Sequence, residues 1–210
     1  MSFRYGVALI LPPDFTSKAH QARKVICDQY ASWTAEMFMV HITVADFFQC
    51  PTESSILVVH DGLRRLAEES RGYYPGFRLR HRGLNAFPGD TSTIFLDFMG
   101  HQDVYRLQVL HNNVARLLER TPGVEPNRAH SRERFWPHLT LLQNARLRPA
   151  VFQEAMELAQ AVVRDLQIPS ATSAWKLWFV QFESRAAGYD WSGGRWAADL
   201  RWTILDSFPL

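Results

Sequence analysis

A compact apolar run over residues 5–11 stops at Pro12 and Pro13, which reads as a β-strand ended by residues that cannot donate to a ladder. Beyond it Ala19, Ala22, Ile26 and Tyr30 recur at three or four residues, the spacing of one helix face. The pattern returns to a strand over 37–45. Ile56, Val59, His60, Leu63, Leu66 and Ala67 then mark a second helix, with Thr52 placed to cap it. Phe77, Leu79 and His81 alternate with Arg78, Arg80 and Arg82, which predicts a half-exposed strand. A second alternating strand is predicted over 93–99, after the turn signal Pro88-Gly89-Asp90. Val104, Leu107, Leu110, Val114 and Leu117 trace a third helix, and the stretch 121–132, with two prolines and a glycine, reads as a loop. The remainder repeats the cycle: a strand over 134–142, a helix over 149–166, and strands near 174–183 and 197–205. His60 and His111 fall on or beside apolar helix stripes, so both read as core-edge histidines and not as ligands.

Strands and long helices in no strict βαβ rhythm predict an α+β fold with antiparallel sheets. A length of 210 residues suits one large domain or two small lobes, with a core that needs no disulfide. With 47% apolar and 21% charged residues the chain is globular, which excludes disordered and collagen-like classes. Twenty-three basic against 21 acidic residues leave a net charge of +2, so a polyanion has to be met by locally placed arginines. Cys27 and Cys50 lack the paired spacing of a zinc site and fit a reducing compartment. The first apolar run is too short for a leader, and none approaches the ~20 residues of a spanning helix. A cytoplasmic protein with no membrane attachment is expected.

One tetrad occurs twice. His41-Ile42-Thr43-Val44 and His138-Leu139-Thr140-Leu141 share the order His, apolar, Thr, apolar, 97 residues apart and one in each half of the chain. Eight histidines and ten threonines give each histidine a chance of roughly 1% of starting such a tetrad, so two together are hard to assign to accident. On a strand, successive side chains alternate between faces, so His41 and Thr43 share one face while Ile42 and Val44 anchor the other. Continuing that parity places Met37 and Met39 beside His41, and turns Phe38 and Val40 inward. On the second strand it puts Arg134 and Trp136 beside His138 and Thr140, and turns Phe135 and Pro137 inward.

Two imidazoles facing across a cleft suit a phosphodiester. With an ordinary pKa near 6.5, one can be neutral while the other is charged, and the pair then acts as general base and general acid with pH limbs near 5 to 8. Thr43 and Thr140 can donate hydrogen bonds to the non-bridging phosphoryl oxygens, whose charge has to be stabilised. Arg134 is the candidate phosphate or base contact, and Trp136 the candidate to stack on a nucleobase. No metal ligand set accompanies the histidines: HxxxH, HExxH and paired-cysteine spacings are all missing. A module that holds RNA ends or a nucleotide without turnover is the rival reading from another class.

The paired motifs, with Phe135-x-Pro137-His138-Leu139-Thr140-Leu141 around the second, resemble the two-histidine (2H) phosphoesterase superfamily of 2′,3′-cyclic phosphodiesterases and 2′-5′ RNA ligases. The early strand ending Leu11-Pro12, the segment from Gly83 to Pro88 and the closing Phe208-Pro209-Leu210 are similar to that family's layout. The resemblance implies two pseudo-symmetric lobes of antiparallel sheet with outer helices around a central cleft, residues 1–210 forming a single bilobal domain. It implies a metal-independent enzyme without a cofactor, a monomer, in which His41, Thr43, His138 and Thr140 act on RNA ends or a small cyclic nucleotide. Many relatives have an arginine five positions before the second histidine; here Glu133 stands there, between Arg132 and Arg134.

Overall fold

The computed structural model describes residues 1–87, 92–100, 104–126, 135–187, 191 and 194–210. It is an α+β fold of antiparallel sheets with helices outside, as the pattern predicts. The elements in chain order are β1 (Ser2–Ile10), α1 (Pro13–Gln29), β2 (Ile42–Phe48), α2 (Glu53–Tyr73), β3 (Arg78–Arg80), β4 (Leu84–Phe87) and β5 (Thr93–Asp97). There follow α3 (Val104–Arg120), β6 (His138–Leu142), α4 (Pro149–Asp165), β7 (Ala171–Ser173), β8 (Lys176–Ser184) and β9 (Arg201–Pro209). Thr52 caps α2 as its position promised, its hydroxyl accepting from Ser55 N while the Ser55 hydroxyl accepts from Thr52 N.

One lobe is a four-stranded sheet in the order β2-β1-β8-β9, the other a three-stranded sheet in the order β4-β5-β6, and β3 pairs with β7. The lobes are therefore not the two sequence halves. The strand, helix and later strands expected of the second half are present, but β8 and β9 return to the sheet of β1 and β2, with β1 and β8 in register from Ser2 opposite Ser184 to Ile10 opposite Lys176. The helices are exchanged as well. Helix α1 packs against α4 and β6, whereas α2 and α3 pack together beneath β2, β8 and β9. One apolar cluster joins Leu9, Ile42 and Val59 to Leu96 and Leu139, so residues of both sheets share it.

Strand β5 departs from the expected alternation, since every residue from Thr93 to Asp97 is buried. It is the central strand of its sheet, covered on one face by the core and on the other by Phe87 and Trp136. The predicted turn at residues 88–90 lies outside the described residues. Cys27 and Cys50 are both unpaired, and Cys27 gives its S–H to the Leu141 carbonyl. His111 is a core residue, as its stripe position implies. Its Nδ1 lies 2.8 Å from the Val44 carbonyl, and its ring stacks 4.0 Å from that of Phe135. His60 is half-buried on α2, with Nε2 at 2.7 Å from Asp206 on β9. Among the described residues no helix is long and apolar enough to cross a membrane.

Candidate active site

Strands β2 and β6, which hold the two tetrads, are each an edge strand of their sheet, and the two edges approach one another. An edge strand leaves one row of carbonyls without a ladder partner. Here helices supply the missing donors: His111 of α3 bonds the Val44 carbonyl of β2, and Arg23 of α1 bonds the Thr140 carbonyl of β6. Between the two edges lies an open cavity of about 270 Å³, into which His41, Thr43, His138 and Thr140 all project. The parity argument thus holds for the tetrads themselves, with Ile42, Val44, Leu139 and Leu141 buried behind them.

The same local device positions both imidazoles. His41 Nδ1 lies 2.7 Å from the Met39 carbonyl, and His138 Nδ1 lies 2.7 Å from the Trp136 carbonyl, each the residue two positions earlier. A carbonyl only accepts, so Nδ1 carries the proton in both rings and Nε2 is the basic nitrogen. His41 Nε2 in turn sits 3.1 Å from the Thr43 hydroxyl. This folding-back also explains where the strands begin. The Met39 and Trp136 carbonyls are spent on imidazoles, Pro137 has no N–H, and Ala35 and Phe38 give their carbonyls to Arg23. The strand predicted over 37–45 accordingly starts at Ile42, after a 3-10 turn at Ala35–Met37, and the one predicted over 134–142 starts at His138.

That shortening overturns the parity reading for the residues before His41: Met37 and Met39, placed beside the imidazole, are not among the residues that line the cavity. Phe38, assigned to the core, lines the cavity instead, because its segment is not a strand. It joins Phe47, Phe182 and Trp196 in an aromatic wall on the β2 side, with ring centroids 5.1 to 5.9 Å apart for the pairs of Phe38 with Phe182 and Trp196 and of Phe47 with Phe182 and Trp196. Two irregularities in the β1–β2 register make this wall. Phe47 sits at φ +33°, a left-handed conformation that costs a non-glycine residue on the order of 1 kcal/mol, and its ring lines the cavity while Phe48 is buried in the core. Gly6 beneath is the only residue type that fits there: a Cβ would stand 2.8 Å from the Phe182 ring.

On the β6 side the His138 ring lies edge-on to Phe87 at 5.4 Å and tilted against Phe95 at 4.9 Å. Trp136 is partly exposed, donates its indole N–H to Asp97 Oδ1 at 3.0 Å and does not itself line the cavity. Arg134 lies outside the described residues. Burial draws the pKa of His41 from 6.5 down to about 4, with smaller downward contributions from the Arg23 and His138 charges, against the Met39 carbonyl. His41 is therefore neutral throughout the physiological range. Among the described residues no three His, Cys, Asp or Glu side chains gather as a metal site would require.

Three residues of consequence escaped the sequence reading. Arg23 occupies the apolar stripe of α1 between Ala22 and Ile26, and a charge there was the available signal. Asp97 interrupts the otherwise apolar run 94–98 and is fully buried; Arg82, Asn85, Trp136 and the Met99 N–H all donate to it. Phe47 gave no signal, because a bulge is invisible to periodicity.

Two sheets thus meet at their edges, each offering a histidine whose Nδ1 is tied to its own backbone and a threonine two residues on. The chain belongs to the 2′-5′ RNA ligase superfamily, whose family model matches residues 11–184. No curated protein matches it by sequence. Among solved structures it is similar to a protein described as a phosphoesterase, with a TM-score of 0.64 and 17% identity over 100% of this chain and 99% of that one. It is also similar to E. coli LigT complexed with NADP+, with a TM-score of 0.57 and 16% identity over 99% and 96% of the two chains. The likeness to TT0787 of Thermus thermophilus has a TM-score of 0.52 at 18% identity, over 99% and 97%. These likenesses are ones of fold.

Proposed function

We propose that the protein hydrolyses 2′,3′-cyclic phosphate ends of RNA or nucleotides without a metal, using His41 as general base and His138 as general acid. The observation that supports this most is the pair of imidazoles on one cavity, both with Nδ1 fixed on a backbone carbonyl, which makes Nε2 the nitrogen that exchanges protons. His41 is assigned the role of base because burial holds its imidazole neutral. Its Nε2 takes a proton from water as the water oxygen bonds to phosphorus; the P–O bond to one ribose oxygen breaks, and that oxygen is protonated from Nε2 of His138, which enters this step as the imidazolium and leaves it neutral. Thr43 and Thr140 donate to the non-bridging oxygens as their charge grows. Structures of E. coli LigT complexed with phosphate and with 3′-AMP, a protein of like fold, accord with a phosphoryl group as ligand. The aromatic wall of Phe38 and Phe47 offers a base its stacking surface on the β2 side, and Trp136 and Arg134 would serve the next nucleotide of an RNA substrate.

The test is incubation of the purified protein with a panel of 2′,3′-cyclic mononucleotides and cyclic-ended RNA in EDTA, with the products mapped. Conversion to a 2′- or 3′-monophosphate that survives chelation is expected. Loss in EDTA with recovery on adding a divalent ion would sink the mechanism. Binding without turnover would identify a module that holds ends, and joining of strands through a 2′-5′ bond would identify the same proton transfers run in reverse.

The neutral state of His41 also fixes a pH profile. In free enzyme the base is lost only as pH falls through about 4, so the acid limb of kcat/KM is expected near 4 and not near the 6.5 of an ordinary imidazole. A bound phosphodiester anion favours the imidazolium, so the acid limb of kcat should lie higher than that of kcat/KM. An acid limb of kcat/KM at 6.5 or above would remove His41 from the role of base.

A further inference from the structure

Arg23 is almost wholly buried, 2% exposed, yet it lines the catalytic cavity. Among the described residues its hydrogen bonds go to three backbone carbonyls and to no carboxylate. Nε and Nη2 bond the Thr140 carbonyl at 3.1 and 2.8 Å, and Nη1 bonds the carbonyls of Ala35 at 3.0 Å and Phe38 at 2.8 Å. A guanidinium has five N–H groups, so four are committed and one on Nη2 is left. Carbonyl dipoles solvate the cation but cancel none of its charge. Glu36 attracts it from further off and forms no ion pair with it, and Asp46 is the one carboxylate among the described residues of the cavity lining. Burial lowers the Arg23 pKa only to about 10, so the charge is present at neutral pH.

The geometry points to Arg23 as a second functional element of the site: it clasps the β6 motif strand to the segment that leads into His41, and its uncommitted N–H and unneutralised charge bind the phosphoryl group of the substrate. This deepens the reading given above and rests on it. Two consequences separate. The charge is what a phosphate needs, and a lysine supplies it. The clasp needs a planar fork that reaches Thr140 on one side and Ala35 and Phe38 on the other, which a lysine with three donors on a single nitrogen cannot reproduce.

The experiment is calorimetric titration of the full chain and its variants with inorganic phosphate, beside kcat for a 2′,3′-cyclic mononucleotide. Phosphate affinity is expected within about 5-fold of the parent in Arg23→Lys and about 30-fold weaker in Arg23→Met, the loss of one charge-assisted hydrogen bond. Both variants are expected to lose about 100-fold in kcat, because misplacement of a motif strand by about 1 Å suffices for that. A purely structural Arg23 would leave phosphate affinity equal in Lys and Met variants of equal Tm, and that result overturns the proposal. So does a parent protein that binds no phosphate at millimolar concentration. Should Arg23→Met fail to fold, the Arg23 side-chain N–H resonances of the parent, followed by NMR through the same titration, are expected to shift and saturate; unmoved resonances overturn the proposal equally. Phosphate binding in the expected order without turnover of any cyclic nucleotide would uphold Arg23 and remove only the hydrolase reading.

Discussion

Alanine at either His41 or His138 lowers kcat for a 2′,3′-cyclic nucleotide by about 10²- to 10⁴-fold, and the double variant loses little more than the worse single one. The reason is that base and acid act in one transition state: once the attacking water keeps its proton, a correctly placed acid has little left to assist. Steady-state kinetics of the four proteins checks it. Losses that multiply in the double variant would show two independent contributions, which the shared cavity does not predict. Thermal stability should move little, because the Nδ1 hydrogen bond of each ring runs to a carbonyl two residues away in the same segment.

Asp97→Ala is the variant with the largest expected effect on stability. The carboxylate is fully buried and accepts from Arg82 at 2.7 Å, from Asn85 and the Met99 N–H at 2.8 Å, and from the Trp136 indole at 3.0 Å. Removing it strands those donors; the Arg82 side chain is 47% exposed and can turn to water, but the loss of several hydrogen bonds to one buried carboxylate is expected to cost about 3 kcal/mol, or roughly 6 to 12 °C in Tm for a chain of this size. Calorimetry measures it, and a fall under about 2 °C would show that the network relaxes without cost. Burial by itself would raise the Asp97 pKa, but the bonds from Asn85, Met99, Arg82 and Trp136 prevail and hold it below 3.8. Its stabilising contribution is therefore complete above that value and is lost as pH falls through the lower folded one. Activity should fall with stability, because Trp136, held by Asp97, provides the carbonyl that orients His138.

The tetrads were legible because strand parity is a strict rule and both motifs sit on strands, where two residues of spacing mean one face. The residues just before them were not, because His41 and His138 turn back on their own backbone and end the regular pairing on that side. Hence Phe38, inward on a strand, lines the cavity in the folded protein. Arg23 was hidden for a different reason: an arginine on a helix normally reaches solvent, and this one is buried by the carbonyls of Ala35 and Phe38 together with that of Thr140 on an edge strand 117 residues along the chain. Strand β4 was missed because the four residues Leu84–Phe87 are too few to show a period. Periodicity is local, whereas membership of a sheet is not, so the return of β8 and β9 to the first sheet could not be read from it.

That return governs the order in which the protein is made. Strand β1 leaves the ribosome well before its long partner β8, which follows only after more than 160 intervening residues, from Ile10 to Lys176 at the nearest pair and from Ser2 to Ser184 at the farthest. Between those events β2 has β1 alone for a neighbour, and a lone hairpin is marginal in water. The three-stranded sheet with His138 can close from residues 84–142 while synthesis continues, but the sheet with His41 waits for β8 and β9. Its loop-closure entropy must be met before β1 and β8 reward it, so their pairing is the step expected to be slow in folding.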